Sequence, residues 1–298
     1  MNKNSASLYI ATVVIWGSTF YAIKFQLGVV AAEVSIMYRF GLASILLLLF
    51  CFITKKNLRY SVTEHGFIFL QGLFLFSFNY LIVYWVMETL TSGIVALIFS
   101  TVILSNIVNG AVFLRTPVSL NVVFGAFVGI LGVAAIFWSE VSSIENNSAT
   151  WHALWFCLIA TYLASLGNIL SARNQFNKLP VLQTNALGMG YGALILFIYA
   201  LCNGASFNYD PSMGYTLSLL YLCIFGSIFA FGSYLTLIGR IGADKTAYMS
   251  VLFPVVALSI STVFESYHWS MLAIGGFALT QIGNYLVLKT TRTSVRES

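Results

Sequence analysis

Thr12, Trp16, Thr19 and Lys24 recur as Thr161, Ser165, Asn168 and Arg173 at a constant offset of 149 residues. Steps of three to five residues keep each set on one face of a helix. A second echo, at an offset of 154, lays Gly226 on Gly72 and Tyr234-Leu235 on Tyr80-Leu81. Asn79 and Tyr84 flank the first copy, Ser233 the second, and Tyr248 follows. Thr101, Ser105 and Asn109 fall four apart, with Asn106 beside them. These groups suit recognition rather than bond making. A tyrosine or tryptophan offers a large apolar ring with a polar tip, which fits an amphipathic or aromatic solute. The structural alternative for the polar stripe is hydrogen bonding between helices, worth about 0.6 kcal/mol per contact. For the aromatics it is lipid contact or an interfacial belt. Catalytic and metal patterns are missing: there is no H-E-x-x-H spacing and no Walker A loop. His65, His152 and His268 read as interfacial. Cys51, Cys157, Cys202 and Cys223 stand singly in apolar runs and imply packing rather than disulfides.

Helices long enough to hold these faces must cross something apolar. Of the 298 residues, 59% are hydrophobic and 8% charged. A soluble domain carries roughly 25% charged residues, so this chain cannot cover a soluble surface with polar groups. The bilayer is its solvent. The net charge of +5 does not point to nucleic acid, because the basic residues sit in short gaps between apolar runs. Runs near the length needed to span occur at about 8–30, 34–54, 66–87, 92–114, 118–138, 151–172, 181–201, 215–238, 246–264 and 269–288. The longest polar gap, 139–150, divides five from five. The domain expectation is therefore a first repeat over 1–145 and a second over 146–298. Lys3 before the first run resembles a signal peptide, but the run is too long and lacks a cleavage site, so it reads as a retained span.

Charge placement sets the topology. With the N-terminus inside, every Lys and Arg except Lys24 and Arg39 falls on an inner segment, and the outer ends carry Glu33, Glu88, Glu140, Glu145, Asp210 and Glu265. The positive-inside rule then places both termini in the cytoplasm. Five spans per half is odd, so the second half runs inverted. Lys24 and Arg39 sit in the outer third of the membrane. They either attract a substrate carboxylate, or pair with Glu33 or Glu88 as a gate, or snorkel to headgroups. No carboxylate lies in the middle of a span, so proton coupling is not visible and stands level with facilitated export or exchange. Pro254 reads as a hinge in the ninth span, with Ser100 opposite it in the fourth, so a bend is expected in the ninth without an equal bend in the fourth. The glycine pairs Gly125–Gly129 and Gly188–Gly192 suit either a dimer face or packing within the monomer.

The stretches WGSTFYAIK (16–24), RFGLA (39–43), AYMSVLFPVVAL (247–258) with Glu265, and GGFALTQIGNYL (275–286) resemble the drug/metabolite transporter superfamily, and within it the bacterial EamA-type, ten-helix members. The resemblance implies an all-α integral membrane fold of ten transmembrane helices, arranged as two inverted five-helix repeats around a central cavity, with helices 5 and 10 outside. It implies a secondary transporter of the inner membrane, not an enzyme, that exports or exchanges small organic molecules such as amino acids or amphipathic drugs. The family's Pro in helix 4 and Gly-Glu at its end are replaced here by Ser100 and by Leu114-Arg115-Thr116. The expected substrate site is Trp16, Thr19, Asn79, Tyr80, Tyr84, Thr101, Ser165, Asn168, Ser233, Tyr234 and Tyr248, with Lys24, Arg39 and Glu88 as gate or charge and Pro254 as hinge. No cofactor, metal or nucleic acid is expected. The expected partners are a solute and lipid, with the protein a monomer or weak homodimer. Import of a cationic nutrient through an aromatic box is the second reading.

Overall fold

The computed structural model describes residues 3–90, 92–136, 138, 148–243, 246, 248–264 and 269–294. Among them every regular element is helical. The elements are α1 (Lys3–Lys24), α2 (Ala32–Ile53), α3 (Val62–Gln71), a first π segment (Gly72–Phe78), α4 (Asn79–Val86), α5 (Ser92–Ser100), α6 (Val102–Leu114), α7 (Leu120–Ile136), α8 (Ser148–Phe176), α9 (Val181–Cys202), α10 (Met213–Tyr221), a second π segment (Leu222–Phe229), α11 (Ala230–Ile241), a 3-10 turn (Tyr248–Val251), α12 (Phe253–Phe264) and α13 (Met271–Ser294). Among the described residues six continuous helices are long and apolar enough to cross a membrane, including Val62–Val86 and Met213–Ile241, each of which runs through a π segment. Shorter apolar helices include Leu120–Ile136 and Met271–Gly283. Large apolar side chains such as Leu49, Phe52, Phe124, Phe127 and Ile198 are exposed, a surface that only lipid would cover without cost. The 145/146 boundary, Glu140, Glu145, Lys245, Glu265 and the Tyr248 side chain lie outside the described residues.

The two halves share two irregularities. The π segments occupy corresponding places in the third and eighth apolar runs. A π turn bonds i to i+5 and widens the helix by one residue. In the second segment Ala230 N–H donates to the Phe225 carbonyl, and Ser227 Oγ donates to the Leu222 carbonyl at 2.9 Å, five residues back in each case. The second shared feature corrects the expectation about Pro254. Both the fourth and the ninth runs break, and with the same hydrogen bonds. Thr101 N–H donates to Ile98, then Leu104 and Ser105 both donate to Thr101; Leu252 N–H donates to Met249, then Val255 and Val256 both donate to Leu252. Pro254 is the second residue of α12, where a proline interrupts no helical bond. It starts the helix after the break and does not bend one in the middle. The breaks also touch, since Ser250 Oγ donates to the Ser100 carbonyl at 3.4 Å.

Close backbone approaches fix the helices around these irregularities. α8 meets the first π segment at Gly167, where a Cβ would stand 2.6 Å from Leu75 Cβ. α1 meets the second at Gly226, where a Cβ would stand 3.0 Å from the Thr19 methyl. Gly188 and Gly192 face Phe76 and the Gly72 backbone, so this glycine pair packs inside the monomer. A polar network joins α3, α8 and α9: Asn174 Nδ2 donates to Gln71 Oε1 at 3.0 Å, and Gln71 Nε2 donates to Asn185 Oδ1 at 3.4 Å.

One face of the molecule gathers the ends of α2, α6, α8 and α11 with their basic residues. Arg173 of α8 lies 3.5 Å over the Phe67 ring at the start of α3, which joins two of these groups. α3 starts there with a reciprocal cap between Ser61 and Glu64. Lys55, Arg115 and Lys178 follow the ends of α2, α6 and α8 in the left-handed conformation, at φ of 53°, 55° and 63°. The turns close on carbonyls of Cys51, Gly110 and Asn174. At the opposite face the same turn after α9 uses Gly204.

Candidate functional site

A central cavity of ≈ 70 Å³ lies where α1, the first π segment, α4, α8, α11 and the two helix breaks converge. Trp16, Thr19, Asn79, Tyr80, Asn168 and Tyr234 line it, with Phe99, Phe231, Ser250 and Phe253. Trp16 organises the wall. Its Nε1 donates to the Gly226 carbonyl in the second π segment at 3.0 Å. Its ring packs against Phe231 and Tyr234 at 4.8 Å and against Phe253 at 5.4 Å. With the N–H bound to backbone, Trp16 offers a solute only its ring.

The polar side of the cavity is a short relay. Asn168 Nδ2 donates to the Tyr234 hydroxyl at 3.1 Å and to Asn106 Oδ1 at 3.4 Å. Asn106 Nδ2 in turn donates to the Ala243 carbonyl at 3.2 Å. Asn106 also walls a second space of ≈ 680 Å³, at the basic face between the ends of α6, α8 and α11. The relay is therefore the partition between a small chamber and a wide vestibule. Asn168 Oδ1 and Asn79 Oδ1, both on the chamber, are buried acceptors with no donor.

At the opposite end the chamber is sealed. Gln26 Nε2 donates to the Tyr215 carbonyl at 2.9 Å and to Ser218 Oγ at 2.5 Å. Ser35 Oγ and the Tyr215 hydroxyl lie 3.0 Å apart, and Gly214 sits against the Phe25 ring. Gln175, which stands 149 residues after Gln26, lies in the vestibule wall and donates to the Leu235 carbonyl at 2.7 Å.

Arg39 is 1% exposed, between α2 and the second π segment. Its Nε donates to Ser227 Oγ at 2.9 Å. Its guanidinium carbon lies 4.7 Å from the Tyr80 ring centre and 5.0 Å from that of Phe40. Neither Glu33 nor Glu88 pairs with it; the Tyr80 and Tyr84 hydroxyls stand beside the guanidinium, but among the described residues its Nη1 and Nη2 make no hydrogen bond of good geometry.

The other residues singled out by sequence stand away from the chamber. Tyr84 is fully buried beside Arg39. Ser165 accepts from Asn109 Nδ2 at 2.9 Å, and Thr101 Oγ1 donates to the Ile98 carbonyl at 2.7 Å within the break. Ser233 is half-buried outside the lining. Lys24 and Glu88 are exposed at the ends of α1 and α4. Sequence reasoning passed over Phe231 and Phe253, which no pattern separates from the many other phenylalanines. It also passed over Gln26 and Gln175, although the offset that pairs Lys24 with Arg173 reaches them two residues further on.

The EamA-like transporter family model matches residues 4–138 and again 150–289. The chain is 27% identical over 286 residues to the Uncharacterized inner membrane transporter YedA of Escherichia coli K12, covering 93% of this chain and 90% of that one. It is 22% identical over 272 residues to Protein PagO of Salmonella typhimurium, at 90% and 87% coverage. It is 26% identical over 286 residues to the Uncharacterized transporter YetK of Bacillus subtilis, at 91% and 85%. A solved crystal structure superposes with a TM-score of 0.80 at 14% identity, over 98% of this chain and 99% of that one.

Proposed function

Because the chain belongs to the EamA-like transporter family and is a membrane transporter rather than an enzyme, we propose that it carries a small organic solute with an apolar or aromatic body across the cytoplasmic membrane, by alternating access around the Trp16 chamber. Ten spans in two inverted five-helix repeats underlie this reading. The double match of the family model, the paired π segments and the paired breaks at Thr101 and Leu252 support it. Under the positive-inside rule the basic face is cytoplasmic and both termini lie there. The relatives named as inner membrane transporters fit that placement.

One observation carries the mechanism: a relay of three side chains parts a chamber of ≈ 70 Å³ from a vestibule of ≈ 680 Å³, while the far end is closed. Small-molecule sites occupy roughly 300–1,000 Å³, so the chamber must widen, and parting the relay joins it to the vestibule. The conformation is then the cytoplasm-facing one. Gln26 and Gln175 are related by the repeat yet engaged differently. Gln26 ties α1 to the start of α10 and shuts the outer end. Gln175 rests on α11 beside the open vestibule. In the outward-facing conformation the roles exchange: Gln26 lets go and Gln175 ties α8 to the start of α3. Among the described residues no carboxylate lines the chamber, which favours export or exchange without a cavity proton site. The cation-import reading loses ground to Arg39, a fixed cation 4.7 Å from the Tyr80 ring of the proposed box.

Counterflow in liposomes without an ion gradient, with labelled amino acids and aromatic acids and amines, tests the proposal. Saturable flux of at least one solute is expected, and its absence for all of them ends the reading. Asn168→Leu keeps the volume and removes the hub of the relay. It is expected to cut counterflow about tenfold, the worth of one buried hydrogen-bonding group, while the protein stays folded.

A further inference from the structure

We infer that Arg39 is the anchor for an anionic group of the solute, so that the substrate is an organic acid or a zwitterion with an apolar body and not an organic cation. The inference rests on the transport reading above and names its substrate class. Arginine does not deprotonate in proteins, so Arg39 is a full charge buried to 1% exposure. The Ser227 hydroxyl accepts from Nε and passes its own proton to the Leu222 carbonyl, which orients the guanidinium and neutralises nothing. The rings of Tyr80 and Phe40 offset part of the charge. Removing one partner of a buried ion pair is among the costliest changes a protein can suffer, and this arginine has no carboxylate beside it among the described residues.

The free atoms are also the right ones. Nη1 and Nη2 form the end of the guanidinium that grips a carboxylate with two parallel bonds, and both lack an acceptor. Nη2 lies 3.3 Å from where a Gly226 Cβ would stand, in the gap that Thr19 shares, and Thr19 and Tyr80 are chamber wall. Arg39 is not itself chamber wall, and glycine at 226 keeps a side chain out of the space between its guanidinium and Thr19. Across the chamber the unmatched atoms change sign. Asn79 Oδ1 and Asn168 Oδ1 are acceptors with no donor. A solute with a carboxylate at one end, hydrogen-bond donors at the other and an apolar body against Trp16 would satisfy all four. A cation would find amide oxygens on one side and a fixed positive charge on the other.

The test uses phenylpropionate, phenylalanine and phenylethylammonium, which share a ring and differ in charge. In the full-length protein in detergent the two acids should raise the unfolding temperature and the amine should not. Arg39→Met, with no acid present, should be at least as heat-stable as the parent, because the unpaired charge has gone. The acids should then bind about tenfold more weakly or worse. An arginine held for structure alone would instead leave Arg39→Met less stable and acid binding unchanged. Should that variant fail to express, Arg39→Lys keeps the charge without the fork, and weaker acid binding must appear there. Stabilisation by the amine equal to that by the acids overturns the assignment. So does acid binding unchanged in either variant, or no response of the parent to millimolar acid. Flux separates the two ideas: liposomes that carry the amine and neither acid overturn the anion anchor and spare transport. Absence of flux for every solute removes transport, and acid binding still decides Arg39.

Discussion

Cysteines introduced at Gln26 and Ser218, bridged by a short bifunctional thiol reagent, are expected to reduce flux to background, and cleavage of the bridge to restore it. The side chains at these positions meet at 2.5 Å, at the sealed end of the chamber. The bridge replaces hydrogen bonds that thermal motion breaks with a covalent tie that it does not. If solute passes through an outward-facing conformation, α1 and the start of α10 must part, and a tie between them halts the cycle however strongly solute binds. The effect is therefore all-or-none. The experiment needs a background without the native cysteines, of which Cys202 is exposed and Cys51, Cys157 and Cys223 are buried. Each single cysteine variant should transport. A bridged protein that still transports would mean that the outer end does not open at this seam.

The second large effect is on stability. Gly132→Leu should lower the unfolding temperature by several degrees, the consequence of about 3 kcal/mol of overpacking. A Cβ at 132 would stand 2.6 Å from the Gly276 carbonyl oxygen, from Thr280 N and from Thr280 Oγ1. The reverse is also true: a Cβ at 276 would meet the Gly132 oxygen at 2.5 Å and Ile136 N at 2.8 Å. Backbone faces backbone across α7 and α13, so no side chain can swing away and the helices must separate. In a bilayer this contact is most of what holds two helices together, since lipid is as apolar as leucine. Gly275→Ala is the control, because nothing lies within 4 Å of its Cβ. Neither helix lines the chamber, so the folded fraction of Gly132→Leu should transport at the parent rate per molecule. Unchanged thermal unfolding would show that the pair adapts.

What could be read in advance divides along physical lines. The long apolar runs announced their helices because burial in lipid demands length and little else. The chamber face was legible in Trp16, Thr19 and Asn168 because a face recurs at fixed spacing and recurs again in the other half. The π segments were not, since Leu222–Phe229 is apolar but for Ser227 and carries no period that an extra residue could disturb. Pro254 misled for a different reason. Proline marks where a helix cannot donate a backbone hydrogen bond, but it does not say whether the helix ended before it. The break at Thr101 has no proline at all and is made by backbone bonds that skip to i−3. Arg39 showed as a charge in a span, while its missing partner became visible only once the atoms around it were in place.

The left-handed caps carry a last implication. Glycine costs nothing in that conformation, whereas a side chain costs about 1 kcal/mol. After α9, at the outer face of the proposed topology, the cap is Gly204; after α2, α6 and α8 it is Lys55, Arg115 and Lys178. A positive side chain recovers part of the penalty from the carbonyls that end its helix. The remainder is a standing stability deficit at three turns, all on the side where cations fix orientation. The insertion machinery reads charge before any helix has packed, and the folded protein then lives with the residues that reading required. Under the proposed topology, orientation is thus stored as backbone strain, and a sequence chosen for heat resistance alone would have written glycine three times.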